Sequence, residues 1–80
     1  MSKLVLFARA RELAGRSNDD IDATTLGELL ERASAAYGPE FAAILERCRV
    51  WINGNEPTGG MDTPVGPQDE IAVLPPVSGG

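Results

Sequence analysis

Thr25-Leu26-Gly27-Glu28-Leu29-Leu30-Glu31-Arg32-Ala33-Ser34-Ala35-Ala36-Tyr37, followed by Gly38-Pro39, is the stretch on which the fold turns. Thr25 and Glu28 have the spacing of a capping box, in which a hydroxyl and a carboxylate satisfy the free amides of a helix start. Leu26, Leu29, Leu30, Ala33 and Tyr37 then recur at helical spacing, while Glu28, Glu31 and Arg32 point elsewhere. Gly38 supplies a left-handed C-terminal position, and Pro39 prevents continuation. A single amphipathic helix of this kind needs another layer to bury its apolar stripe.

The flanking sequence supplies that layer. Lys3 to Ala8 is rich in Val, Leu and Phe and reads as a strand, followed by a connection from about Arg9 through Gly15 to Asn18. Asp19 to Ala23 reads as a weaker strand, and its charges suit a sheet edge that must not recruit neighbours. Beyond the helix, Phe41, Ile44 and Leu45 predict a second, short helical segment. Arg49 to Asn53 returns to strand chemistry and ends in Asn53-Gly54, a favoured tight-hairpin dipeptide. Glu56 to Gln68 is rich in Gly and Pro and reads as loop. Glu70 to Leu74 is the last strand, stopped by Pro75-Pro76 because proline has no ladder donor. Hairpin, helix and further strands, without an internal repeat, predict an α+β domain over residues 1–74, with one sheet packed on one main helix. Residues 75–80 are read as an extended tail.

Composition narrows what such a domain does. Eighty residues make one small domain, and 42% hydrophobic residues is ordinary for a globular chain. Seven basic against twelve acidic residues give a net charge of −5. That balance opposes nucleic acid and anionic lipid, and favours a partner with a basic surface. The longest apolar run, Leu4 to Ala8, is too short to cross a bilayer, and no signal-peptide pattern stands at the start. With the lone Cys48 unable to form an internal disulfide, the expected location is a reducing cytoplasm. No histidine is present, so a metal site or a nucleophile–histidine pair is not expected, and the chain reads as no enzyme on its own.

Strand parity then singles out a surface. If Leu4, Leu6, Val50, Ile52, Ile71 and Val73 face the helix, Val5, Phe7, Trp51 and Leu74 face away. Four large apolar residues on the outer face of a sheet mark a protein interface. The tail beyond them, Pro75-Pro76-Val77-Ser78-Gly79-Gly80, reaches roughly 20 Å when extended. Its prolines hold the base stiff, and Gly79 and Gly80 leave no side chain to block a narrow tunnel. The Gly80 carboxylate is ionised at neutral pH and becomes an electrophile only after activation, most naturally by transfer to AMP. An adenylate on Gly80 could accept sulfur to give a thiocarboxylate, or be captured by an amine.

Leu6-Phe7-Ala8-Arg9-Ala10-Arg11-Glu12-Leu13-Ala14-Gly15, Thr25-Leu26, and the run from Asp69 to Gly80 resemble the small subunit of molybdopterin synthase, a ubiquitin-like sulfur carrier with a β-grasp fold. The resemblance spans essentially the whole chain. It implies that an adenylating enzyme, using ATP and magnesium, activates Gly80, which a sulfur donor converts to a thiocarboxylate. The tail, Pro75 to Gly80, then enters the large subunit of the synthase, as part of a heterotetramer, and gives sulfur to a cyclic pyranopterin phosphate. Arg11 and Glu12, which follow the first strand and match the family, are candidates to pair with a partner, the alternative being a solvated surface ion pair. No cofactor is implied for this chain itself, and neither nucleic acid nor membrane is an expected partner. The sequence departs from relatives at Glu56 to Gly60, polar and glycine-rich where they often carry an apolar strand, and at Gln68, where they often have glycine. Carriers for thiamine thiazole, cysteine or transfer-RNA thiolation can also end in Gly-Gly, and a protein modifier joined to lysines through an isopeptide bond is a different class. Thiamine carriers typically place an Asn-Gly hairpin near the N-terminus, whereas Asn53-Gly54 lies late here. Cys48 is expected to pack rather than to relay sulfur.

Overall fold

The computed structural model describes residues 1–76. Val77, Ser78, Gly79 and Gly80 lie outside the described residues. The first strand, β1 (Ser2–Leu6), alternates as its sequence does: Ser2, Leu4 and Leu6 are buried, and Lys3 is exposed. Ser2 is the buried polar member, and its hydroxyl donates to the Gly66 carbonyl at 2.8 Å. That bond removes the cost of burying the hydroxyl and ties the N-terminus to the late loop.

The segment after β1 is not the expected connection. It forms a helix, α1 (Ala8–Ala14), ending at Gly15 in the left-handed conformation with φ +76°. Ala10, Leu13 and Ala14 stand at i, i+3 and i+4, and Ala10 is fully buried. Good helix formers therefore give this short segment one buried face. The pairing of β1 with β2 (Asn18–Ile21) is antiparallel, but α1 intervenes, so the two are no tight hairpin. The second strand also starts one residue earlier and ends two earlier than its charge pattern indicated.

The main helix, α2 (Leu26–Tyr37), buries Leu26, Leu29, Leu30 and Ala33. Its cap is built as read: the Glu28 amide donates to the Thr25 hydroxyl at 3.2 Å. The Glu28 carboxylate reaches one residue further back, accepting from the Thr24 amide at 2.7 Å. Gly38 ends the helix at φ +103°, ψ 176°, an extended mirror region open to glycine rather than the left-handed helical one. Pro39 then begins α3 (Pro39–Leu45) at its first position, where a missing N–H costs nothing. Phe41 is fully buried and meets Tyr37 edge-on, ring centroids 5.0 Å apart.

The third strand, β3 (Arg49–Ile52), and the fourth, β4 (Glu70–Leu74), complete a mixed sheet of order β2-β1-β4-β3. The central β1–β4 pair is parallel, which requires a long crossover, and the helices and loops between them provide it. Leu4, Leu6, Ile71 and Val73 from the sheet close the core against α2, with Val50 and Ile52 partly buried beside them. The loop between β3 and β4 carries one 3-10 turn at Gly60–Asp62. It crosses the start of α2, where the Leu26 amide donates to the Thr63 carbonyl at 2.8 Å. No helix among the described residues is long and apolar enough to cross a membrane.

Candidate interaction surface and tail base

Register decides what lies on the outer face. Ala72 is opposite Val5 on one side and Trp51 on the other, so Val5, Ala72 and Trp51 form one row across three strands. Leu74 is opposite Arg49, and Leu6 is opposite Val73, which puts Phe7 beside Leu74 at the same end of the sheet. Val5, Trp51 and Leu74 are half-buried, and Phe7 is 45% exposed. The four residues read from parity thus lie on one face, graded toward the end from which the chain leaves β4. At the other end Lys3 stands between Asp20 and Glu70, directly opposite it on the neighbouring strands. A charged row faces an apolar one across about two residues' rise, about 7 Å.

Ala72 belongs to this surface and was not among the residues singled out. Its parity with Leu74 within Glu70–Leu74 carried the signal; its small side chain concealed it. Arg11 is not on the sheet. It is exposed on α1, and its carbonyl accepts the Gly15 amide at 3.0 Å. Phe7 joins the two, because its carbonyl accepts from the Ala10 amide and its backbone is the N-cap of α1. Pro75 is half-buried and Pro76 exposed at the tail base.

The electrostatics around this surface are quiet. Arg9 pairs with Glu12 at 3.1 Å and Arg49 with Glu56 at 3.6 Å, all four well exposed. Pairs of that kind contribute little to stability. The Cys48 thiol donates to the Ile44 carbonyl at 3.3 Å, and burial pushes its pKa up. A protonated, hydrogen-bonded thiol is a poor nucleophile. Among the described residues no group of His, Cys, Asp and Glu is arranged to hold a metal ion.

A mixed sheet with a parallel central pair, antiparallel edges and one long helix across its inner face is a ubiquitin-like β-grasp. The chain belongs to the ThiS family, whose profile matches residues 4–80. It is 34% identical to the molybdopterin synthase sulfur carrier subunit of Escherichia coli, over 100% of both chains. It is 32% identical to the protein of the same name from Dictyostelium discoideum, over 98% of this chain and 94% of that one. The small archaeal modifier protein 1 from Methanosarcina acetivorans has a similar structure, with a TM-score of 0.89 at 28% identity. That likeness covers 99% of this chain and 95% of the archaeal one.

Proposed function

We propose that this chain is the sulfur carrier of a molybdopterin synthase, a subunit without catalysis of its own whose reacting group is the Gly80 carboxylate. The observation that supports this most is the end-to-end likeness to two relatives of that name, in a family match that extends to residue 80. In this reading the Gly80 carboxylate attacks the α-phosphorus of ATP on an adenylating enzyme, and pyrophosphate leaves. A persulfide sulfur then attacks the acyl carbon and AMP leaves, and a thiol reduces the acyl disulfide to the thiocarboxylate. Held in the large subunit, that sulfur passes to a cyclic pyranopterin phosphate, and water restores the carboxylate. The domain's contribution is recognition: Val5, Phe7, Ala72, Trp51 and Leu74 offer an apolar face beside Pro75 and Pro76.

The test is intact mass spectrometry after incubation with the adenylating enzyme, ATP and a persulfide donor. The expected product is heavier by the exchange of one oxygen for sulfur, localised to Gly80. An unchanged mass under conditions that load a known carrier would overturn the reading. For the surface, Phe7→Ala and Trp51→Ala should each weaken large-subunit binding by about 2 kcal/mol, roughly thirtyfold. Parent-like binding by both folded variants would remove that face from the interface.

The likeness to an archaeal protein called a modifier favours a second reading, in which the activated Gly80 is joined to lysines of other proteins. Isopeptide-linked Gly-Gly remnants on cellular lysines, dependent on Gly80, would distinguish it from sulfur transfer.

A further inference from the structure

The two edges of the sheet are protected differently. Along β2, Asp19 and Asp20 place charge at the rim, and an edge so marked resists pairing. Along β3 the residues are Arg49, Val50, Trp51 and Ile52, and the edge is only partly closed. Asn53 and Gly54 turn the chain through φ +52° and +83°, and Ile52 and Asn55 then exchange two hydrogen bonds, at 2.8 and 3.0 Å. The hairpin stops there. In the register it sets, the next hydrogen-bonded pair is Val50 with residue 57, and residue 57 is proline, which has no N–H for the Val50 carbonyl. On the other side of β3, the Asn53 amide donates to the Glu70 carbonyl, so Asn53, Trp51 and Arg49 bond to β4. Val50 therefore turns both of its backbone groups outward, to an edge its own chain leaves unpaired among the described residues.

Beneath this edge lies a second feature. A groove of about 350 Å³ runs between β3, α2 and α3, lined by Leu30, Ser34, Ala42, Leu45, Cys48 and Val50, with Met61 beside them. Met61 is 59% exposed. Glu31 and Glu46 stand at the groove's margin. A strand laid along β3 would alternate its side chains, one set toward this groove and the other toward the outer face that carries Trp51.

We infer that the β3 edge at Val50 receives an extended strand of the large subunit, with an apolar side chain of that strand in the groove and a Lys or Arg beside Glu31 and Glu46. Backbone pairing supplies the affinity and the groove the selectivity, as in other strand additions. The occupant follows from continuity. Trp51, next to Val50, belongs to the face already assigned to that subunit, so a partner seated there lies alongside the edge. The inference rests on the function proposed above.

Amide hydrogen exchange on the complete complex tests it. The Val50 amide should exchange quickly in the free chain and at least about tenfold more slowly with the large subunit bound. Val50→Pro removes the edge donor where a proline is tolerated, and Ser34→Phe fills the groove from α2; each should weaken binding about tenfold or more. Ser34→Phe stands as the test if Val50→Pro fails to fold. If the complex forms with the Val50 amide as fast as in the free chain, the strand addition is wrong and the carrier function is untouched. Parent-like affinity of folded Ser34→Phe also overturns it. If no complex forms with the large subunit at all, the functional reading falls and the inference with it.

Discussion

Ala8 opens α1 with φ at +50°, a left-handed backbone angle in a residue that has a Cβ. That conformation costs about 1–2 kcal/mol for an L-residue. In most helices Ala→Gly is destabilising by about 1 kcal/mol. Here the sign should turn. Ala8→Gly relieves the backbone, offset by about 0.4–1 kcal/mol of extra freedom in the unfolded chain. The expected result in urea unfolding is a variant between equal to the parent and about 1.6 kcal/mol more stable. A loss of stability would mean that Ala8 is an ordinary helical residue in solution. A second residue-scale case is Asp19. Its carboxylate accepts the Tyr37 hydroxyl at 2.7 Å and pairs with Arg16 at 3.1 Å, while the Arg16 guanidinium lies 5.7 Å from the Tyr37 ring centre. The Tyr37 bond is the largest influence on Asp19; burial, next in size, opposes it, and the Asp20 amide and Arg16 add to it, leaving the carboxylate below its ordinary value of 3.8. A depressed carboxylate contributes stability that is present above its unfolded pKa and lost as pH falls through the folded one. Tyr37 is shifted upward, by burial first and by Asp19 second, so its contribution holds below the ordinary 10.0 and is lost only in strong alkali. Tyr37→Phe should therefore cost about 1 kcal/mol at pH 7, the net worth of one hydrogen bond. The gap from the parent should narrow as pH drops below the ordinary Asp value. A gap independent of pH would locate the loss in packing instead.

At the scale of elements, the start of α2 fastens three segments. Thr25 caps it, Thr24 holds Glu28, and the incoming loop adds the Thr63 carbonyl to the Leu26 amide and takes the Thr24 carbonyl with the Val65 amide. Thr25→Ala should cost about 1 kcal/mol, read as a lower urea midpoint at unchanged slope. A changed slope would mean that the loop had come away with the cap. This was the most legible element of the sequence, because its cap, stripe and stop signals agree. The first helix was less so. Ala10, Leu13 and Ala14 are small or lie between charges, and the helix is only seven residues long, so its stripe reads as a polar connection. Gly15 after Ala14 was its one clear stop signal. The β3–β4 loop was legible as loop from its glycines and prolines. Its 3-10 turn was not, since such a turn rests on local carbonyl geometry at Gly59 and Gly60 more than on side-chain pattern.

For the whole molecule, parity alone brought Val5, Phe7, Trp51 and Leu74 to one face, because a period of two fixes the side of a sheet once one strand is assigned. Arg11 could not be placed that way: its position depended on a helix that the charge pattern hid. The proposed reacting group is a backbone terminus, legible only as Gly79-Gly80 after a strand and two prolines. In the proposed function the folded domain and the reacting end are separate, so changes at the terminus should act on transfer and not on folding. The core closes with Ile71 and Val73 in β4, both fully buried, and nothing past Leu74 belongs to a strand among the described residues. Deleting Gly80, or adding one residue after it, should leave the urea midpoint unchanged. Either change displaces the reactive carbonyl by about 3.5 Å, one residue's reach. Misplacement of about 1 Å already costs on the order of a hundredfold in rate, so both variants should lose sulfur transfer while melting as the parent does. Gly79→Val keeps the carboxylate and adds a branched side chain, which tests the width of the partner's channel separately. Mass spectrometry divides the outcomes, since a variant that never gains sulfur fails at activation, and one that gains it but converts no pterin fails in the large subunit. A Gly80 deletion that loads sulfur and supports pterin conversion at the parent's rate would show that the terminus is not the reacting group. The apolar outer face would then be the functional part of the molecule.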